Sequence, residues 1–258
     1  MKINVVYNKN IPNYQEVLSL IENFLIKKNA EFKIFELDCM GNFGDFTVVI
    51  GGDGTLLRAA RFYSDCQIPV LGINNGRLGF LSQQVGVEEV FNSIFNGEYY
   101  IQERLMLTSI NKIALNDFVI KGCNPSRTSK FYLEINNKCV CDYIADGIII
   151  STPTGSTAYG LSAGGPVLFP TVETISIVPI CPHTLTARPL VVPVTEIITV
   201  RTADKMLAVA IDGYENEKCI EKITIKAAEK KAILAFVNKD NFYTVLRDKL
   251  HWGISKAQ

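Results

Sequence analysis

The stretch VVIGGDGTLLRAA, Val48–Ala60, places three glycines and one aspartate between an apolar run and a segment of helical pattern. The apolar run is rich in β-branched residues and predicts a buried strand. Glycine reaches positive φ values and lets a ligand approach the backbone. Gly51, Gly52 and Gly54 therefore predict a phosphate site built from N–H groups and a helix N-terminus. A tight strand-to-helix turn without a ligand is the alternative reading of these glycines.

A carboxylate, Asp53, stands inside this predicted phosphate site, where it is repelled unless it has a chemical task. It can accept a proton from a hydroxyl that attacks phosphorus, or it can hold Mg²⁺. The alternative role is to cap the following helix. Neither GxxxxGK[ST] nor GxGxxG occurs in the sequence, which argues against a P-loop NTPase and a standard Rossmann dehydrogenase.

Composition and charge describe an ordinary globular chain of 258 residues, 48% hydrophobic and 20% charged. Lys and Arg number 26, as do Asp and Glu, so no overall basic field recruits nucleic acid or an anionic membrane. No apolar run approaches a membrane span and the N-terminus lacks a signal-peptide pattern, so we expect a cytoplasmic protein. Seven scattered cysteines and two histidines predict reduced thiols and no zinc site.

The pattern of elements changes along the chain. Strand and helix patterns alternate at first, which predicts a Rossmann-like parallel sheet, and Asn13 and Glu16 have the spacing of a capping box. Strand-like segments separated by Gly and Pro then dominate, until NFYTVLRDKLHWG returns to helical spacing. We predict an α/β domain over residues 1–99 and a mainly β domain over 100–237. The helical tail, 238–258, is expected to pack back on the first domain.

A second glycine- and hydroxyl-rich stretch, DGIIISTPTGSTAYGLSAGGP, runs from Asp146 to Pro166. GIIIS predicts a strand, and in the turn after it Thr154, Thr157 and Tyr159 can contact a polar ligand; a polar surface turn is the alternative. The segment Gly160–Gly164 also matches the GxSxG pattern of serine hydrolases. That motif needs a strand directly before the serine, and TPTGSTAY intervenes, so small residues packing a helix explain it better.

Five motifs, in this order, resemble those of NAD kinases: GGDGT at Gly51–Thr55, NNGRLGFL at Asn74–Leu81, ALND at Ala114–Asp117, the Asp146–Pro166 stretch, and PICPHTLTARPLVVP at Pro179–Pro193. GGDGT alone is shared with diacylglycerol-type lipid kinases and phosphofructokinases. The resemblance, to a compact bacterial form, implies an α/β domain and a β-rich domain with NAD bound between them, in a homodimer or homotetramer. The implied reaction transfers the γ-phosphoryl group of ATP, or of polyphosphate in some members, to the 2′-hydroxyl of the adenosine ribose of NAD.

The resemblance also implies roles for individual residues in phosphoryl transfer. Asp53 is expected to be the base that activates the 2′-hydroxyl. The donor phosphates are expected near Gly51, Gly52, Gly54, Thr55 and Asp212. A divalent cation, Mg²⁺, is expected to be held mainly by the substrate phosphates, with no metal site in the protein.

The NAD-binding residues are implied in the same way. Asn116 is expected near adenine, Asp117 at ribose hydroxyls, and Asp146 at the nicotinamide end in a neighbouring subunit's site. The other expected NAD contacts are Asp53, Gly54, Phe80, Thr154, Thr157, Ala158, Tyr159 and Ser162. The chain departs from the family twice, since Asp117 replaces the usual glutamate and Ile144 stands where some members have arginine.

Two functions of other kinds stay open on the sequence alone: a lipid kinase of the diacylglycerol kinase type, and a dinucleotide-binding regulator without activity. A lipid kinase would gain from an amphipathic membrane-binding segment, which the sequence does not display. A regulator would have lost the carboxylate of the glycine-rich loop, and Asp53 is present. The sequence does not decide which phosphoryl donor is preferred or whether NAD or NADH is the preferred acceptor. It also does not decide the oligomer size or whether NADPH inhibits.

Overall fold

The computed structural model describes residues 1–74, 79–124, 127–183, 185–204, 206–238 and 242–252. They form two compact units, unit 1 (Met1–Glu103 with Ala232–Gln258) and unit 2 (Arg104–Lys231). This division differs from the predicted ranges at both boundaries, because residues 100–103 and the segment from Ala232 join unit 1 and not the β-rich unit.

The helices and strands are numbered in chain order. The helices are α1 (Tyr14–Lys27), α2 (Asp53–Ser64), α3 (Val87–Asn96), α4 (Tyr159–Ser162) and α5 (Phe242–Leu250), with short 3-10 helices at Leu37–Cys39 and Thr154–Thr157. The strands are β1 (Lys2–Tyr7), β2 (Glu31–Glu36), β3 (Phe46–Ile50), β4 (Val70–Ile73), β5 (Tyr100–Arg104), β6 (Leu107–Ser109), β7 (Lys112–Ala114), β8 (Asp117–Gly122), β9 (Ser129–Ile135), β10 (Lys138–Ala145), β11 (Gly147–Ser151), β12 (Thr174–Ile180), β13 (Leu190–Pro193), β14 (Ile198–Thr202), β15 (Leu207–Ile211), β16 (Glu215–Ile220), β17 (Lys222–Ala227) and β18 (Ala232–Phe236).

Unit 1 is an α/β unit around one sheet of order β2-β1-β3-β4-β18-β5. The pairs from β2 to β18 are parallel, and every residue of β3 is buried, as expected for a parallel strand covered on both faces. The helices bury apolar residues at helical spacing, as α1 does with Val17, Ile21 and Leu25. This confirms the predicted Rossmann-like parallel sheet.

The strand order of unit 1 reverses its direction between β1 and β3. The chain leaves β1 toward β2 on one side, and β3 lies on the other side of β1. In open α/β sheets such a reversal opens a crevice outside the carboxyl ends of the two central strands. Asn8 follows β1 there, and Gly51 follows β3.

Of the two predictions made for the ends of unit 1, the capping box is wrong and the tail helix is confirmed. Asn13 precedes α1 in a left-handed conformation, with φ of 61°, and makes no side-chain capping bond, so the predicted capping box is wrong. A capping side chain needs an extended backbone to reach the next turn. The predicted tail helix is present as α5, which buries Val245 and Leu246 and belongs to unit 1.

Unit 2 is mainly β, as predicted, and holds two sheets of orders β10-β9-β14-β17-β6-β7 and β13-β12-β11-β8-β15-β16. Side chains from both sheets, such as Leu133, Val200, Ile120 and Ile177, form one buried cluster, so the sheets pack face to face. The predicted hairpin is β9–β10, and its turn residues have positive φ, as a two-residue turn requires.

The outer face of the second sheet carries a smaller apolar cluster that includes Ile149 and Val178, with Ala163 packed against it. Strand β11 is therefore buried on both faces, along its whole length. The segment from Thr152 to Ala163 begins directly after β11 and is held on this outer face. Within the described ranges, no helix is both long enough and apolar enough to span a membrane.

Candidate active site

The carboxylate of Asp53 is the centre of the candidate site in unit 1. Asp53 is the first residue of α2, yet it makes no capping bond. Its Oδ2 accepts a hydrogen bond from the N–H of Phe80 at 2.8 Å and one from Lys249 Nζ at 3.2 Å. Its Oδ1 accepts bonds from the N–H of Leu81, the N–H of Ser82 and Ser82 Oγ, each at 3.0 Å. The carboxylate therefore fixes the segment after β4 to the start of α2.

These contacts decide the charge of Asp53. Burial acts to raise its pKa, but the hydrogen bonds from Ser82, Phe80 and Leu81 and the positive charge of Lys249 act in the other direction. The net effect holds the pKa of the Asp53 carboxyl below its usual value. The group is thus an ionised acceptor at neutral pH.

The first glycine of the GGDGT loop is explained by the lack of room for a β-carbon more than by an unusual φ value. A β-carbon on Gly51 would lie 2.6 Å from the Cβ of Thr55, so the turn needs glycine for space. The expected positive φ is wrong for Gly52, at −80°, and for Gly54, which lies within α2. Among the described residues, no atom outside the backbone of α2 stands within 4 Å of a β-carbon on Gly54, so there is open space beside this residue at the start of α2.

Thr55 and Asn8 connect the two central strands at the crevice. The side-chain amide of Asn8 donates to Thr55 Oγ1 at 3.2 Å. Since this oxygen already accepts a bond, its own proton can be donated to a third group, such as a phosphate oxygen. Beside them, Lys9 forms an ion pair with Glu36 at 2.6 Å.

The candidate site in unit 2 is organised by Asp212. Its buried carboxylate accepts bonds from the N–H groups of Leu115, Asn116 and Asp117 at 2.9, 2.7 and 3.0 Å. Asp212 itself adopts a left-handed conformation with φ of 49°, followed by Gly213 at 79°. The turn at Asp212 and Gly213 therefore holds the backbone of the ALND segment in place.

The neighbouring carboxyl of Asp117 is in an unusual state. It is 4% exposed. Burial, and then the negative charge of Asp212, raise the pKa of Asp117 to about 7. Asp117 therefore changes its charge close to neutral pH.

The ALND and TPTGSTAY motifs are joined by short contacts. Thr152 Oγ1 donates to the carbonyl of Leu115 at 2.6 Å and accepts from the N–H of Gly155 at 3.0 Å. The N–H of Thr152 donates to the carbonyl of Asn116 at 2.9 Å. A β-carbon on Gly155 would lie 2.7 Å from the Cα of Asn116, so the two segments touch at this glycine.

The other predicted NAD-binding residues of unit 2 differ in exposure. Thr154 is buried and accepts a bond from Arg104 Nη1 at 3.3 Å. Thr157 and Ala158 are half-buried, and Ser162 is exposed at the end of α4. No strand ends directly before Ser162, so the GxSxG match is not a nucleophile elbow.

The side chain of Tyr159 is 41% exposed and borders a groove of about 320 Å³ on the outer face of the sheet. The groove is also lined by Val119, Lys121, Gly213 and Glu217. It combines an aromatic ring, apolar strand residues and charged groups of both signs, which suits a polar aromatic ligand.

The structure collects the predicted site residues into one cluster in each unit. Unit 1 contains Gly51, Gly52, Asp53, Gly54, Thr55 and Phe80; unit 2 contains Asn116, Asp117, Thr154, Thr157, Ala158, Tyr159, Ser162 and Asp212. Asp146 is not in the second cluster. It is exposed and lies before β11, whereas the TPTGSTAY segment follows that strand.

Sequence reasoning missed Asn8, Gly79, Ser82 and Lys249. A β-carbon on Gly79 would overlap Asp53 Oδ1, and Ser82 donates to the same oxygen. Three of the four had a usable signal, because Asn8 directly follows a strand and Gly79 and Ser82 lie in or beside the NNGRLGFL stretch. Lys249 had none, since it is 196 residues from Asp53 along the chain.

Comparisons with known proteins identify the two parts of the chain separately. The ATP-NAD kinase N-terminal domain matches residues 13–99, and the ATP-NAD kinase C-terminal domain matches residues 115–239. The chain belongs to the NAD kinase family. It is 37% identical to the NAD kinase of Caldanaerobacter subterraneus over 96% of this chain and 98% of that protein. It is 40% identical to the NAD kinase of Geobacter sulfurreducens, over 81% of this chain and 79% of that protein.

Solved structures of the family share the fold. An NAD kinase from Archaeoglobus fulgidus in complex with ATP has a TM-score of 0.81 at 27% identity, covering 97% of this chain and 99% of its own. Yeast NADH kinase complexed with NADH has a TM-score of 0.87 at 22% identity, covering 100% of this chain and 89% of its own. This likeness concerns the fold alone.

Proposed function

We propose that this NAD kinase family member transfers the γ-phosphoryl group of ATP to the 2′-hydroxyl of the adenosine ribose of NAD and forms NADP. The observation that carries the proposal is the carboxylate of Asp53, which is ionised and fixed at the start of α2 beside the open space at Gly54. An oriented anion next to a helix N-terminus is the pairing that hydroxyl activation and phosphate binding require.

Asp53 would accept a hydrogen bond, and then the proton, from the attacking 2′-hydroxyl. Phosphoryl transfer passes through a loose transition state, so orientation and charge stabilisation count more than the strength of the base. A carboxylate of low pKa in a fixed position meets this need. The five bonds to Asp53 among the described residues supply that fixed position.

The donor phosphates would lie at the N-terminus of α2. The N–H groups of Gly52 and Gly54 and the hydroxyl of Thr55 are the donors we assign to them. Among the described residues, no three His, Cys, Asp or Glu side chains cluster to hold a metal ion. We propose that Mg²⁺ enters with ATP and is coordinated mainly by its phosphates, where it neutralises developing charge.

NAD would be bound by the cluster of unit 2. Asn116 would contact adenine, because its backbone is fixed from both sides by Asp212 and Thr152. Asp117 would bind ribose hydroxyls with a shorter reach than the family's glutamate. Thr154 and Tyr159, with the remaining predicted contacts, would line the dinucleotide pocket.

We also propose a homo-oligomer, a dimer or tetramer, in which Asp146 serves a neighbouring subunit's site. The support is its place in unit 2: β11, five residues long, separates Asp146 from the TPTGSTAY segment, and five strand residues span about 16 Å. An exposed carboxylate there suits a contact with a second chain. We propose that the enzyme is cytoplasmic and has no nucleic-acid or membrane partner; the balanced charge, which creates no overall basic field, supports the absence of these two partners.

A product assay tests the function. The purified chain is incubated with NAD, ATP and Mg²⁺, and NADP is measured with an NADP-specific dehydrogenase; parallel reactions contain NADH, diacylglycerol or polyphosphate. We expect NADP with ATP as donor. Phosphorylated lipid in the absence of NADP would contradict the proposal and favour the lipid kinase.

A further inference from the structure

Helix α5 brings a lysine to the carboxylate of Asp53. Lys249 Nζ lies 3.2 Å from Asp53 Oδ2 and 4.8 Å from the centre of the Phe80 ring. The side chains of Lys249 and Asp53 are 36% and 29% exposed, so solvent screens this ion pair only in part.

The lysine is held in place by packing on both sides. Val245 and Leu246 bury the inner face of α5 in unit 1. The Phe242 ring, at the start of the helix, lies 6.3 Å from the Phe80 ring. The ammonium group therefore comes to Asp53 from an anchored helix and is oriented by an aromatic face.

The other groups around Asp53 are uncharged or engaged elsewhere. The segment after β4 presents three N–H groups and the hydroxyl of Ser82. From α2 itself, Arg58 is bound to Asp38 at 2.7 Å. Among the described residues, the cation in contact with the carboxylate is Lys249.

The bonds are distributed unequally over the two carboxylate oxygens. Oδ1 accepts three of them, all from residues 81 and 82. Oδ2 accepts one from Phe80 and one from Lys249. Removal of the lysine would leave Oδ2 with one donor. The carboxylate could then rotate about the Cβ–Cγ bond of Asp53.

We propose that Lys249 is a positioning residue for phosphoryl transfer, which binds Oδ2 of Asp53 and holds the carboxylate in the orientation that receives the acceptor hydroxyl. The inference rests on the proposed function, because it assigns a task within that reaction. The lysine acts through Asp53 and its effect belongs to the turnover step, so kcat should respond more than KM.

Three variants test the proposal in the full-length chain. Lys249→Met keeps the apolar stem against Phe80 and removes the charge; Lys249→Gln serves as a second neutral variant if the first does not fold. Lys249→Arg restores a cation. We expect the neutral variants to lower kcat about 10- to 100-fold, since small misplacements of a catalytic group have effects of this size. KM for NAD should change less than about threefold, and Lys249→Arg should recover much of the loss.

A chemical rescue separates positioning from folding. Added ethylammonium should raise the activity of Lys249→Ala and leave the wild type unchanged. The matched control is Lys130→Met: Lys130 also pairs with an aspartate, Asp142 at 2.5 Å, and lies 5.4 Å from a ring, that of Tyr132, in unit 2. That variant should keep wild-type kcat.

The possible failures are distinguishable. A wild type that makes NADP while a folded neutral variant keeps its kcat overturns the positioning role alone. A loss of activity that neither arginine nor ethylammonium restores, in proteins with wild-type melting temperatures, also overturns the positioning role. A wild type that makes no NADP overturns the proposed function itself.

Discussion

Both carboxylate oxygens of Asp53 accept hydrogen bonds, and the described residues supply five donors, from residues 80 to 82 and 249. A carboxylate offers about four lone-pair directions. An acceptor hydroxyl can therefore bind only by replacing or sharing one of these bonds. Oδ2 accepts two of the five bonds and Oδ1 accepts three, so we expect the hydroxyl to share Oδ2 while the bond from Lys249 persists.

Asp53→Asn should nearly abolish turnover while NAD still binds. The amide cannot take the proton, and loss of a general base costs about 10²- to 10⁴-fold. Binding should survive because the residues assigned to adenine and ribose, Asn116 and Asp117, belong to unit 2. Steady-state kinetics and titration calorimetry with NAD measure the two effects, with Asp38→Asn, in an exposed ion pair, as control. Wild-type turnover in the purified variant would remove Asp53 as the base.

Gly79→Ala should disturb the same carboxylate without changing a charged group. The new β-carbon would overlap Asp53 Oδ1 and Ser82 Oγ, and such overpacking costs roughly 1–3 kcal/mol of stability. We expect a lower melting temperature together with a lower kcat. Gly86→Ala is the control, because no atom lies within 4 Å of a β-carbon there. Equal behaviour of the two variants would show that space at Gly79 does not matter.

Asp117→Asn should stabilise the chain at pH 8 more than at pH 5. Folding raises the pKa of Asp117 to about 7, so the ionised form destabilises the folded state, and stability falls as pH rises from about 4 through 7. Asparagine resembles the neutral acid and does not repel Asp212. Thermal melts at both pH values should show a gain of about 3–8 °C at pH 8. A gain independent of pH would contradict the assigned charge state.

At the scale of elements, the TPTGSTAY segment and the ALND segment act as one piece, since Thr152 and Gly155 touch the backbone of Leu115 and Asn116. A displacement of either segment therefore moves residues that we assign to NAD. Thr152 makes the shortest of these contacts, and Gly155, in the 3-10 helix at Thr154–Thr157, leaves no room for a β-carbon beside Asn116.

Gly155→Ala should raise KM for NAD about 5- to 50-fold, because the added β-carbon meets the backbone of Asn116 and shifts both segments. KM for ATP should change little. Gly160→Ala, in α4 of the same stretch, is the matched control: its β-carbon would lie 3.8 Å from the Gly155 carbonyl oxygen, an ordinary contact. Initial-rate kinetics with each substrate varied in turn decide the matter. An effect confined to ATP would place this segment on the other substrate.

Sequence patterns predicted the elements whose signals are local. The buried run of β3, the alternating β9–β10 hairpin and the tail helix α5 are confirmed, because a continuous β-branched apolar run, an alternating pattern and helical spacing are each visible within one short segment. The φ values of Gly52 and Gly54 were predicted wrongly. In a sequence, a glycine needed because there is no room for a β-carbon cannot be distinguished from one needed for a positive φ. The pairing of β18 with β4 and the contact of Lys249 with Asp53 join distant parts of the chain, and no local pattern encodes them.

At the scale of the whole molecule, the proposed shared site predicts complementation between two inactive chains. Asp53→Asn and Asp146→Ala should each be strongly impaired, and co-expression should restore activity. A mixed dimer contains one site with both carboxylates, and random assembly makes about half of the dimers mixed. Recovery should therefore approach roughly a quarter of the wild-type activity.

The complementation is measured as NADP formation by co-purified, differently tagged chains. Light scattering first establishes that the chain forms an oligomer. Separately purified variants, mixed without co-expression, control for exchange. A fully active monomer, or mixed oligomers no more active than the separate variants, would rule out the shared site.

The order in which the units occur along the chain has a consequence for biosynthesis. Unit 2 is continuous, from Arg104 to Lys231, whereas unit 1 needs β18 and α5 from beyond it. On the ribosome, roughly 6 to 26 s pass between the synthesis of Glu103 and that of Ala232, at about 5–20 residues per second. During that time β4 lacks its neighbour β18, and Asp53 lacks Lys249. A nascent chain released early thus holds a finished β unit and an open parallel sheet, which exposes it to proteolysis before it can act on a substrate.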